Sequence, residues 1–106
     1  MTNKDVQKTL VELDFSLYEA AVYIALFQHG PCNAGPIIKE TNLHRNIVYT
    51  SLDHLMSRKL VTEKIVRGRK IFSAISPDNL RQEYGKKAEL ATTVAKELEK
   101  IHQQDI

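Results

Sequence analysis

Four side chains suited to hydrogen bonding with nucleic acid cluster in one short stretch: Arg45, Asn46, Tyr49 and Thr50. Arg presents a fork of donors that matches guanine, and Asn pairs with both the acceptor and the donor of adenine. Tyr and Thr bond phosphates or touch a thymine methyl. The plainer reading is that all four solvate the outer side of a helix. His44 stands just before them and approaches the same partner from the preceding turn. A second group, Arg67, Arg69 and Lys70 around Gly68, has the charge to meet phosphates or a minor groove.

Other chemistry finds little footing. His29, His44, His54 and His102 have no metal-site spacing, and no Cys-x-x-Cys accompanies them. There is no Gly-rich phosphate loop, no Gly-x-Ser-x-Gly elbow and no paired-carboxylate frame, so no enzyme activity, metal or cofactor is expected. The single cysteine, Cys32, excludes an internal disulfide and fits a reducing cytoplasm. Its place near a helix start favours a thiolate and hence redox sensing, against the plainer reading of an inert thiol.

Length and charge narrow the class. At 106 residues the chain holds one modest core, and its 42% hydrophobic and 26% charged residues are those of an ordinary globular protein. No apolar run reaches membrane-spanning length, and MTNKDVQKTLVELD lacks a signal-peptide core, so a cytoplasmic location is expected. The net charge of +2 is unevenly spread. From His44 to Lys70 seven Lys/Arg face two acids, a local +5, which leaves −3 for the rest. Basic charge confined to the middle of the chain points to a local polyanion contact.

These residues need elements to position them. A first helix is expected from Asn3 to about Leu13, with Val6, Leu10, Leu13 and then Leu17 on one stripe. Asp14-Phe15 breaks it, and Ser16-Leu17-Tyr18-Glu19 reads as a capping box. The helix that follows, Leu17 to His29, places Leu17, Ala20, Ala21, Ile24 and Phe27 on one face. Val22, Ala25 and Leu26 make it apolar elsewhere too, so it is expected to be the central helix. Gly30-Pro31 ends it, and Asn33 caps a short helix, Ala34 to Thr41, anchored by Ile37 and Ile38. The start of that helix also offers a phosphate free backbone N–H groups.

Asn42-Leu43-His44 is then a turn, with Leu43 plugged into the core. The next helix covers about 45–59, with Val48, Leu52 and Leu55 inward, and Arg45, Asn46, Tyr49, Thr50 and Asp53 outward. Tyr49, beside Val48, stands between core and surface. Two strand-like runs follow, Val61 to Val66 and Lys70 to Ile75, joined by a basic tip at Arg67-Gly68-Arg69. Ser76, Pro77 and Asp78 restart a helix that runs to about Gln103. Leu80, Tyr84, Ala91, Val94, Leu98 and Ile101 fall on its a and d positions, with Lys87 the one polar interruption. So narrow a seam wants a partner helix.

The segments LDFSLYEAAVYIALFQHGPCNAGPI, RNIVYTSLDHLMSRKLV and GRKIFSAISPDNL resemble, in order, the opening, recognition helix and wing of the TrmB-type transcriptional regulators. The resemblance covers roughly Leu10 to Leu80 and implies a DNA-binding, usually dimeric, winged helix-turn-helix. The family usually has Gly where this chain has Lys59, and small hydroxyl residues where it has Asn46 and Ile47. Many relatives carry a large C-terminal sugar-sensing domain; this chain ends after one helix, so sugar sensing is not carried over.

The expectation is therefore a mostly α chain with a small β-hairpin: a winged helix-turn-helix over 1–76 and a dimerisation helix over 77–106. Its partners would be double-stranded DNA, met by a recognition helix at about 45–59 and a wing at 67–70, and a second copy of itself. No membrane partner or small-molecule effector is evident. The alternative is a winged-helix protein-interaction module that binds no DNA.

Overall fold

A computed structural model describes residues 1–104 of the chain. The elements run α1 (Asn3–Glu12), α2 (Leu17–His29), α3 (Ala34–Thr41), α4 (Arg45–Ser57), β1 (Val61–Val66), β2 (Arg69–Ala74) and α5 (Asp78–Gln104). This is the expected winged helix-turn-helix with a long last helix. It divides into one compact unit, Met1–Ser76, and a second beginning at Pro77.

Caps define most of the helix bounds. Thr2 and Asp5 form a reciprocal box at the start of α1, and Ser16 and Glu19 form one at the start of α2. Asn33 Oδ1 accepts from Gly35 N at 3.0 Å to start α3. α1 ends in a left-handed residue, Asp14, with φ 69°. Phe15 N then donates to Leu10 O and Asp14 N to Val11 O, which is a Schellman closure. The end of α4 repeats it. Lys59 takes φ 61°, with Leu60 N donating to Leu55 O and Lys59 N to Met56 O. The departure at Lys59 therefore leaves the glycine-type closure intact, although an L side chain occupies its left-handed position. The helix itself stops at Ser57, two residues short of expectation.

α2 is the central helix, packed against α1, α3, α4 and β2. Its buried residues are Ala20, Val22, Tyr23, Ala25 and Leu26, whereas Leu17 and Phe27 are 60% and 48% exposed. The expected inward face was thus rotated. A helix apolar on nearly every side has no single stripe, so its neighbours choose what is buried. Leu17 likewise leaves the α1 stripe, in which Leu10 is buried and Val6 and Leu13 are half-buried. Leu43 is half-buried rather than plugged fully into the core.

β1 and β2 pair antiparallel, from Val61 opposite Ala74 to Val66 opposite Arg69. The loop is only Arg67-Gly68, and both residues have positive φ (52° and 77°), the signature of a type I′ turn. Arg69 therefore lies in β2 rather than at the tip, next to Lys70, the expected first residue of that strand. At the hairpin root, Cys32 N donates to Phe72 O at 3.0 Å and Phe72 N to Cys32 O at 2.7 Å. The loop between α2 and α3 thus binds the wing's inner edge. In the second unit, Pro77 O accepts from Leu80 N and Arg81 N, so α5 begins at Asp78. At 1.5 Å per residue α5 is about 40 Å long.

Candidate nucleic-acid interface

The position of α4 follows from its inward stripe. Val48, Leu52 and Leu55 are fully buried, and Ser51 is buried beside them. The 3.6-residue turn then puts Asn46, Thr50, Asp53 and Ser57 on the opposite side, all exposed. Arg45 and Tyr49 flank that face on the side of the hairpin, and Ile47 and His54 flank it on the side of α2. Asn42 makes the approach possible by taking φ 56° at the end of α3. His44 is the N-cap of α4, its Nδ1 accepting from Asn46 N at 3.1 Å. The neutral, Nε2-protonated ring fills this role, leaving Nε2–H exposed as a donor.

Tyr49 belongs to both core and surface. It is half-buried, meets Phe72 edge-on at 6.2 Å, and carries the Arg45 guanidinium 5.4 Å from its ring centroid. These contacts form one wall of an open groove of about 530 Å³. Asn33 and Gly35 at the start of α3 form another wall, and Arg69 and Lys70 of β2 a third. Three cations and the first turns of two helices thus line one groove. A phosphate would find there positive charge, helix N-termini and a phenol donor.

The predicted residues divide accordingly. Arg45, Tyr49, Arg69 and Lys70 come together in this groove. Asn46 and Thr50 line a neighbouring groove of about 320 Å³, shared with Tyr18, Ile47 and His54. Arg67 is exposed at the hairpin tip, apart from both grooves. Lys70 Nζ also stands 4.0 Å from Glu63 Oε2, an exposed pair of little energetic weight. In the second unit, Val94, Leu98 and Ile101 are exposed, Leu80 and Tyr84 half-buried and Ala91 exposed.

One cation of the basic segment serves the core instead. The Arg58 guanidinium lies 4.3 Å from the Phe15 ring centroid, and its NH2 donates to Leu13 O at 3.4 Å. It ties the end of α4 to the end of α1. Phe15 in turn stacks on Tyr23 at 5.4 Å. Burial pushes the Tyr23 hydroxyl's pKa up, partly offset by Arg58. Cys32 is also pushed up by burial, the direction opposite to that of a sensing thiolate.

Two participants escaped the sequence reading. Tyr18 lies in α2, far from α4 in sequence, and only the packing of the two helices brings it beside Asn46 and Thr50. His54 Nδ1 lies 3.8 Å from Glu19 Oε1, so its protonated form pairs with the cap of α2. Nothing in the helical period of α4 points to Glu19, which lies in another helix.

Known proteins share this fold. The chain is similar in structure to TrmBL2, an archaeal chromatin protein, with a TM-score of 0.79 at 18% identity over 99% of this chain and 40% of that one. It is similar to BpsR of Bordetella bronchiseptica, with a TM-score of 0.60 at 20% identity over 89% and 68% of the two chains. A MarR family regulator from Silicibacter pomeroyi gives 0.61 at 11% identity over 91% and 65%. The chain thus spans less than half the length of the TrmBL2 chain. Residues 10–78, most of the first unit, match the sequence model of the family described as sugar-specific transcriptional regulator TrmB. With that match covering well over half of its length, the chain belongs to the TrmB family.

Proposed function

We propose that this chain binds double-stranded DNA in a sequence-specific way and regulates transcription. α4 enters the major groove, Asn46 and Thr50 read base edges, and Arg45, Tyr49, Arg69 and Lys70 hold the adjoining phosphates. His44 meets the backbone at the entry to α4, and Arg67 follows it beyond the tip of the hairpin. The observation that carries this reading is the convergence of Arg45, Arg69, Lys70 and Tyr49 on one groove beside the exposed face of α4. TrmBL2 and BpsR, described respectively by a mode of DNA binding and by regulation of DNA binding, support DNA as the ligand class.

In this reading residues 1–76 form the DNA-binding domain and α5, within the expected 77–106, the dimerisation helix; residues 105 and 106 of that range lie outside those the structure describes. Val94, Leu98 and Ile101 of α5 are exposed apolar residues at heptad spacing, joined at the edge of the seam by Leu90, which is 68% exposed. Two copies would present α4 to half-sites about 34 Å apart or a multiple of that. The chain would work in the cytoplasm without a membrane partner; no described helix is long and apolar enough to cross a membrane. No catalytic step enters this reading.

Fluorescence anisotropy of a labelled random duplex, titrated at several salt concentrations, tests it. Binding should weaken steeply with salt, each neutralised phosphate contributing about −0.9 to the log–log slope. No binding at micromolar protein and low salt overturns the proposal. Sedimentation equilibrium tests the dimer separately, and a monomer at high concentration overturns that part.

A further inference from the structure

On the outer face of α4, Asp53 lies outside the core and outside both grooves. Asp53 is exposed, and it has no hydrogen bond or ion pair among the described residues. Its neighbours three and four positions away are Thr50, Tyr49, Met56 and Ser57, so no Lys or Arg stands at the spacing that would form a helical ion pair. Asp is a weak helix former in mid-helix and gains nothing here from a cap. A carboxylate is also repelled by phosphates, and here it sits in a segment whose other charges, seven Lys/Arg against Glu63 alone, sum to +6. By affinity alone, this is a poor residue for the site.

Its position supplies a role. Asn46, Thr50 and Asp53 follow one another at spacings of four and three, in a line up the centre of the exposed face. A carboxylate only accepts, and in the major groove the base donors are the exocyclic amines of cytosine and adenine. The edges of guanine and the O4 of thymine face it with lone pairs. We propose that Asp53 is a specificity-determining residue that accepts from cytosine N4 and rejects a guanine edge in that place. The residue then weakens binding to DNA in general in exchange for discrimination, which is how a repulsive group creates specificity.

The spacing makes the inference quantitative. Asp53 lies seven residues beyond Asn46, a rise of about 10.5 Å along the helix. With α4 lying along the groove, this corresponds to about three base pairs at 3.4 Å each. The cytosine should therefore fall about three positions from the adenine read by Asn46. The inference rests on the DNA-binding reading above and deepens it.

The test compares the wild-type chain with Asp53→Ala and Asp53→Asn, each selected against a random duplex pool and then titrated on its best site and on random duplex. Wild type should enrich cytosine in one column, with about tenfold or greater loss when guanine replaces it. Asp53→Ala should lose that column while binding random duplex as well as or better than wild type. Asp53→Asn should shift the column toward adenine. Unchanged selected sequences in Asp53→Ala, or equal losses on specific and random DNA, overturn the role of Asp53 while leaving DNA binding standing. If wild type binds no duplex, both readings fall together.

Discussion

Tyr49 of α4 and Phe72 of β2 meet edge-to-face, with ring centroids 6.2 Å apart and planes at 71°. This contact joins the helix proposed to read bases to the strand proposed to hold phosphates. Phe72 is also the residue bonded to Cys32 on both its N–H and its C=O. Phe72 therefore helps to set the wing against α4 through both its ring and its backbone, beside the buried Leu60 and Val61 and the bond from Ile75 N to Leu60 O.

Tyr49→Ala should destabilise the chain by about 2 kcal/mol, from the lost edge contact and partial burial, and should weaken DNA binding as well. Tyr49→Phe keeps the ring and separates the two effects. Thermal unfolding should be little changed in that variant, while anisotropy reports any phosphate contact of the hydroxyl. Equal stability of Tyr49→Ala and wild type would remove the coupling argument.

Arg58 and Arg69 should behave in opposite ways. Arg58→Ala breaks the contact with Phe15 and the bond to Leu13 O, and should cost about 1–2 kcal/mol of stability. Its salt slope on DNA should match wild type. Arg69→Ala should unfold like wild type and reduce the salt slope by about one phosphate, or 0.9. Denaturant melts and salt titrations of both variants provide the comparison, and matching behaviour in both would refute the division of labour.

Lys59 holds a left-handed conformation in which a side chain is strained. Lys59→Gly should stabilise the chain by about 0.5–1 kcal/mol, the relief of strain exceeding the added freedom of the unfolded chain. Urea denaturation measures it. A variant less stable than wild type would mean that the Lys59 side chain makes contacts outweighing the strain.

The Tyr23 hydroxyl is buried without a hydrogen-bond partner among the described residues, in a side chain only 3% exposed. Tyr23→Phe should therefore be neutral or stabilising by up to about 1 kcal/mol. The folded-state pKa is raised by burial, so above the ordinary tyrosine range near 10 the unfolded chain ionises first. The stability associated with the neutral phenol is fully present below pH 10 and is lost as pH rises through the folded value. Wild type should lose more stability than Tyr23→Phe in that alkaline window, as urea melts against pH will show.

Local signals proved the most legible in the sequence. The bounds of α2 and α3 follow from Ser16 with Glu19, from Gly30-Pro31 and from Asn33, because caps act within a few residues. The inward stripe of α4 was equally clear, since Val48, Leu52 and Leu55 alternate with polar residues. The buried face of α2 was not, because its apolar residues surround the helix. Nor could charge counting reveal that Arg58 turns inward to Phe15, 43 positions away, or that Tyr18 lines the groove beside Asn46. Long-range packing determines both. His44 was read as a turn residue with an outward role, and its capping nitrogen appears only once the backbone is placed.

The bond between Cys32 and Phe72 has one more effect. It occupies the inner side of β2, so the hairpin's open edge is β1, which bonds only to β2 among the described residues. An open edge is a template onto which another strand can add, and Ile65 and Val66, 69% and 46% exposed, would favour such addition. Glu63, Lys64 and Arg67 set charge directly along that margin. Charged side chains on an open edge oppose the addition of a further strand, so Lys64→Val should make the chain more prone to associate through its wing.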